Sequence, residues 1–117
     1  MPTRPVVVAQ TDLFLRQASE LWTEDEHEAF VNFIAMHADV GEVIPGLGGI
    51  RKIRWVREGM GKRSGSRVIY FFYDEDSPIY LLQVYAKGAK ADLSPKEKKN
   101  LQIAARVLKD EVLRKRK

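Results

Sequence analysis

Apolar positions recur along this chain with two different periods. Up to about residue 40 they fall three and four apart, from Ile50 to Lys87 they fall two apart, and from Leu101 the wider spacing returns. The first spacing belongs to helices and the second to strands. Pro5-Val6-Val7-Val8 reads as a short strand. Thr11 then has the right chemistry for a cap, and the spacing predicts a helix to about Leu21 with Leu13, Phe14, Ala18 and Leu21 inward. Thr23-Glu24-Asp25-Glu26 is a capping-box pattern that opens a second helix. Its stripe is Phe30, Phe33, Ile34 and His37, and Gly41 is expected to stop it. Residues 44–49, IPGLGG, form a turn-rich connection.

Beyond Ile50, Ile53 and Trp55 alternate with Lys52 and Arg54, which marks a strand with one apolar and one basic face. Gly59 to Gly65 reads as a glycine-rich hairpin loop, Arg67 to Tyr73 as a second strand, and Asp74-Glu75-Asp76-Ser77 as an acidic turn. Ile79 to Lys87 is nearly continuous in apolar character, so it belongs inside the sheet. Ser94-Pro95-Lys96-Glu97 sets a cap, a proline and a capping-box glutamate in order. The helix that follows should bury Leu101, Ala104, Ala105, Leu108 and Val112 before a basic tail. The order β-α-α-β-β-β-α gives an α+β class. It predicts one domain over residues 1–117, with a short antiparallel-rich sheet, two N-terminal helices on one face and a C-terminal helix. The other face of the meander is expected to be open.

Charge sharpens this picture. Residues 1–50 carry two basic residues and eight acids, whereas residues 51–117 carry eighteen basic residues and eight acids. The segment 51–67 alone holds seven cations, Arg51, Lys52, Arg54, Arg57, Lys62, Arg63 and Arg67, against Glu58. Cations fixed on a sheet and facing one way bind phosphate, so the basic half points to a polyanionic partner. The bland alternative is a solvated, mixed surface. There is no cysteine, which excludes disulfides, thiolate metal sites and cysteine nucleophiles. The apolar run near the N-terminus is too short for a signal peptide, and no stretch is long enough to span a bilayer. A cytoplasmic protein with no membrane association is the expectation.

Period 2 puts Lys52 and Arg54 on one face of their strand, Arg67 with Ile69 and Phe71 on a face of the next, and Gln83, Tyr85 and Lys87 on a face of the last. In the right register Lys52, Arg54, Arg67 and Lys87 converge. Gly59-Met60-Gly61-Lys62-Arg63-Ser64 lacks phosphate-loop spacing and joins two strands, so nucleotide hydrolysis is rejected. His27 and His37 are not at metal-ligand spacing; His37 reads as core and His27 as surface. No metal or cofactor is called for. Tyr85 either stacks a splayed base or simply packs. Cations alone are sufficient in principle to cleave RNA. The ribose 2′-OH is the nucleophile, a lysine crowded by cations can take its proton, and arginines can hold the phosphorane. The same patch suffices equally for plain phosphate binding, and no helix-turn-helix pair points to DNA.

The blocks PGLGGIRKIRW, GKRSGSRVIYFFY, IYLLQVYAK and ADLSPKEKK, in that order, resemble the RelE superfamily of bacterial toxins, in particular the HigB-like branch of type II toxin–antitoxin pairs. The resemblance implies an endoribonuclease that cuts mRNA without metal in the ribosomal A site and so blocks translation. It also implies a cognate antitoxin with a helix-turn-helix domain, through which alone operator DNA would be bound. By position it makes Lys52 the base, Arg54 and Arg67 the transition-state clamps, and Lys87 the acid or a further clamp. Arg51, Arg57, Lys62, Arg63, Tyr85 and Lys90 become candidates for contact with RNA or ribosome. The tyrosine that the best-known relatives carry after the last strand is absent, and Ala91-Asp92-Leu93 stands there.

Overall fold

Three side-chain oxygens fix where the helices begin. Thr11 Oγ1 accepts from the Phe14 amide, and both Thr23–Glu26 and Ser94–Glu97 close reciprocal capping boxes. In a computed structural model, which describes residues 4–56, 65–90 and 92–116, the chain runs β1 (Val8–Gln10), α1 (Asp12–Leu21), α2 (Glu24–Met36), β2 (Glu42–Val43), β3 (Ile50–Trp55), β4 (Ser66–Phe71), β5 (Ile79–Ala86) and α3 (Pro95–Arg114). The strands form one mixed sheet in the order β1-β5-β4-β3-β2. β3, β4 and β5 are the antiparallel meander, with β1 parallel to β5 at one edge and β2 antiparallel to β3 at the other. The α+β class, the element order of the meander and the placing of β5 inside the sheet are as the sequence predicts.

Period 2 divides the core. Val68, Tyr70, Ile79, Leu81 and Val84 meet Phe14, Ala18, Trp22, Phe30 and Ile34 of α1 and α2. On the reverse face Ile50, Ile69, Phe71, Leu82 and Tyr85 meet Leu93, Leu101 and Ala105 around α3. The second face is therefore not open, contrary to expectation. Its residues Ile50, Ile69 and Phe71 are as apolar as those of the first face, and burying them against α3 offsets the cost of ordering the helix. A bulge lets β5 serve both layers: Ile69 pairs with Gln83 and Tyr70 with Leu81, so Leu82 is the extra residue. Beyond the short β1, the edge of β5 is covered by α1, and the Val84 amide donates to Gln17 Oε1 at 3.0 Å.

Several local expectations are corrected. The first strand is β1, two to three residues later than the Pro5–Val8 run, because Val6 is buried and its amide bonds to Ala35 across α2. Leu13 and Leu21 are 39% and 40% exposed, since the buried stripe of α1 is only Phe14 and Ala18. Gly41 does not end α2, which stops at Met36 with His37 as its cap. Gly41 is instead where the chain passes Tyr70: a Cβ there would lie 2.6 Å from the phenol oxygen. β2, two residues long, has no periodicity to read. Gly46, Gly48 and Gly49 do take left-handed φ angles of 80°, 77° and 109°, as a turn-rich link requires. Of the expected hairpin loop from Gly59 to Gly65, residues 59–64 lie outside the described residues.

Tyr70 ties the layers together. Its fully buried hydroxyl donates to Ala38 O at 2.9 Å and accepts from the Gly41 amide at 2.8 Å. Burial, ahead of every opposing effect, pushes its phenol above the ordinary 10.0, so it stays a neutral donor. Tyr70→Phe strands both backbone groups, and we expect it to destabilise the fold by about 1–3 kcal/mol in urea unfolding. An unchanged midpoint would mean that water replaces the hydroxyl.

Candidate nucleic-acid interface

Strand register assembles the site. Arg54 of β3 pairs directly with Arg67 of β4, and Arg67 pairs with Tyr85 of β5. Lys52 lies one row along, on the same face as Ile50 and Arg54. This is the α3 face, but α3 covers the Ile50–Phe71 end of it. Lys52, Arg54 and Arg67 line a hollow of about 250 Å³ together with Val40, Glu42 and Ile53. β2 pairs only with Arg51 and Lys52, so it leaves the outer edge of β3 beyond them without a β2 partner. Like charges directly opposite across a strand pair weaken a sheet. The Arg54–Arg67 pairing thus sets two guanidinium groups side by side, in a hollow that Glu42 also lines.

Two buried polar groups at this row lack partners. Arg67 Nη1 and Tyr85 Oη are both shielded from solvent with no hydrogen bond among the described residues. Native structures rarely leave such groups unmade, and an absent anionic ligand is one reason they do. Tyr85 is itself 6% exposed. Burial chiefly, then the Asp92 carboxylate, raises its phenol above the ordinary 10.0, with Arg67 opposing. The Lys90 ammonium stands 4.6 Å above its ring and is ion-paired to Glu97. With that ring face covered, the geometry supports the packed reading of Tyr85 rather than the stacking platform.

Lys52 is not surrounded by cations alone. Its Nζ lies 3.8 Å from Asp92, which also faces Lys98 at 3.9 Å. The Leu93 amide, then Lys52 and Lys98, hold the Asp92 carboxyl below its ordinary range. Sequence reasoning passed over Asp92 because it follows the last strand, where period 2 no longer applies. The available signal was its place just ahead of the Ser94 cap.

Other sequence candidates fall elsewhere. Arg51 faces away from the row and donates to Asp39 O at 3.0 Å and Gly41 O at 2.8 Å, pinning the α2–β2 link. Lys87 is exposed just past β5, its amide on Gly65 O at 3.2 Å, and does not line the hollow that the other three share. Arg57, Lys62 and Arg63 lie outside the described residues. His27, expected at the surface, is half-buried against the Phe14 and Trp22 rings with Nε2 at 2.6 Å from Gln10. His37 caps α2 and lies against Phe33. Among the described residues no three His, Asp or Glu side chains gather as a metal site. Nor is any of their helices long and apolar enough to cross a membrane.

The family model of the RelE toxin, the toxin of the RelE/RelB toxin–antitoxin system, matches residues 13–115. The chain belongs to that family. Among solved structures it is similar to E. coli toxin RelE, a double arginine-to-alanine mutant in the free state. The TM-score is 0.54 with 14% sequence identity, covering 74% of this chain and 88% of that one. At that identity the likeness speaks for the fold alone.

The Lys90–Glu97 pair carries a pH signature. Lys90 first, then the Ser94 amide, lowers the Glu97 carboxyl below its ordinary 4.5. A depressed carboxylate contributes stability above its unfolded value and loses it as pH falls through the folded one. Asp74, Asp92 and Glu111 are lowered in the same sense. The melting midpoint should hold from neutral pH down to about 4.5 and fall below it. Glu97→Gln should lower the neutral plateau and make that fall shallower. An identical acid limb in both proteins would show that Glu97 contributes nothing to it.

Proposed function

We propose that this chain is the toxin of a type II pair of the HigB-like branch, an endoribonuclease that cleaves mRNA in the ribosomal A site and so halts translation. The observation that carries the reading is the Arg54–Arg67 opposition beside the orphaned Arg67 Nη1. A phosphate entering there would give Arg67 Nη1 the acceptor it lacks among the described residues.

In this reading the chain's own cations do the chemistry and no metal takes part. Lys52 takes the proton from a ribose 2′-OH, whose oxygen attacks the adjacent phosphorus. Arg54 and Arg67 hold the charge of the five-coordinate phosphorane. The 5′-oxygen leaves and receives a proton, for which Lys87 is the candidate donor. The products are a 2′,3′-cyclic phosphate and a free 5′-hydroxyl. The hollow supports the parts given to Lys52, Arg54 and Arg67. Lys87 stands outside it, so its part rests on the sequence resemblance. The partners in this reading are the ribosome, its mRNA and a cognate antitoxin.

A second reading, a ribosome- or RNA-binding module without cleavage, is favoured by one observation. Lys52 is ion-paired to Asp92, and a lysine so held acts first as a charge.

Expression of the chain alone should arrest growth, and Arg67→Ala should relieve the arrest while the fold survives. Single-turnover cleavage separates the readings. Lys52→Arg keeps the charge and removes proton transfer. It should slow cleavage by about 10²-fold or more with ribosome affinity little changed. Wild-type protein that binds ribosomes but yields no cyclic phosphate ends would establish the binding module instead.

A further inference from the structure

One carboxylate lines the basic hollow beside its three cations. Glu42 is exposed there, and its side chain makes no ion pair or hydrogen bond among the described residues. Strand pairing holds it in place, because Glu42 lies opposite Lys52 across β2 and β3. A carboxylate repels the phosphate that Lys52, Arg54 and Arg67 attract. Its oxygens suit a part of the ligand that carries hydrogen-bond donors.

A second hollow, of about 220 Å³, opens beside the first, and Glu42 and Lys52 line both. Its lining includes the apolar side chains of Ile44 and Pro45. Their segment is held in shape: the Ile44 amide donates to Ile50 O at 2.9 Å, and Gln102 of α3 donates to Gly46 O at 3.0 Å. Asp92 and Lys98 complete the lining. The Asp92 carboxylate is already engaged, by the Leu93 amide at 2.7 Å, Lys52 at 3.8 Å and Lys98 at 3.9 Å. Glu42 is the unengaged acceptor of this hollow among the described residues.

A preformed apolar wall beside an unengaged acceptor matches a nucleobase, whose faces are apolar and whose edge carries donors. The two hollows also follow one another along β3. Lys52 and Arg54 are two residues apart, about 6.6 Å along the strand, a length that one nucleotide of extended chain can bridge. A phosphate held by Arg54 and Arg67 would bring a neighbouring base to the second hollow.

We propose that the hollow between β2 and the start of α3 seats the base next to the cleaved phosphate, and that Glu42 accepts from the exocyclic amino group of that base. This rests on the toxin reading. It makes Glu42 a specificity-determining residue: adenine, guanine and cytosine offer it an amino group, and uracil does not.

The test uses the full-length chain and ribosomes carrying mRNA with an open A site. The two nucleotides flanking the scissile phosphate are varied one at a time. Guanine against hypoxanthine, and adenine against purine, differ only in the amino group. Single-turnover cleavage and ribosome affinity are measured on the same complexes. At one of the two positions the amino-bearing base should be cut about tenfold faster or more. Glu42→Ala should bring that ratio close to one, and Glu42→Gln, a weaker acceptor, should leave it between the two. Ratios within twofold of one for both base pairs at both positions in the wild type overturn the proposal. So does a ratio that survives Glu42→Ala, which would give the base to the ribosome. Cleavage lost on every base alike in Glu42→Ala and Glu42→Gln, with the ratio intact, would make Glu42 a proton acceptor of the reaction instead. Failure of the toxin reading shows separately, as a wild-type chain that leaves no cyclic phosphate ends, and the same ratios are then read in the affinities.

Discussion

The alternation of side chains along β3, β4 and β5 is the constraint on which the rest of this molecule depends. A one-residue slip in any of these strands would exchange its faces. Val68 and Tyr70 would leave the α1–α2 core, and Ile69 and Phe71 would leave the α3 core. Both faces are apolar at one end, so register is enforced twice. At the other end of the α3 face the alternating positions carry Arg54 and Arg67 instead. The burial that fixes Ile69 against α3 therefore also fixes where two guanidinium groups stand. A cationic site on a loop would lack this support, because nothing would hold like charges side by side against their repulsion.

Much of this was legible in the sequence, for identifiable reasons. The helix starts were readable because Thr23, Glu26, Ser94 and Glu97 carry a local chemistry that tertiary contacts did not override. The basic face was readable because Lys52 and Arg54 alternate with Ile53 and Trp55 over a strand long enough to show its period. What was not legible depended on distance in sequence. Gly41 looks like a helix stop and proves to be clearance for Tyr70, twenty-nine residues on. β2 has only the register of β3 to define it. The covering of the second face follows from where α3 lands, which the order of elements does not state. Arg51 reads as one more cation of the patch, yet alternation sends it to the other side, where two carbonyls hold it.

Tyr85 shows how the two layers meet at the site. Glu97 is the capping-box residue of α3, and its Oε1 accepts from the Ser94 amide at 2.9 Å. Its other oxygen pairs with Lys90. Lys90 in turn lies over the ring of Tyr85, whose strand neighbour is Arg67. One carboxylate thus starts a helix and positions the cation that closes over the site's buried tyrosine. Asp92, two residues ahead of the same cap, reaches Lys52. The N-terminus of α3 and the segment before it therefore supply two of the anions near this patch, and Glu42 of β2 stands in the hollow itself. Arg67 differs: its Nη1 lies out of water with no acceptor among the described residues, while Lys52 and Lys90 each have one. Within this arrangement, an incoming phosphate would gain by meeting Arg67, because there it completes a buried hydrogen bond that no described residue makes.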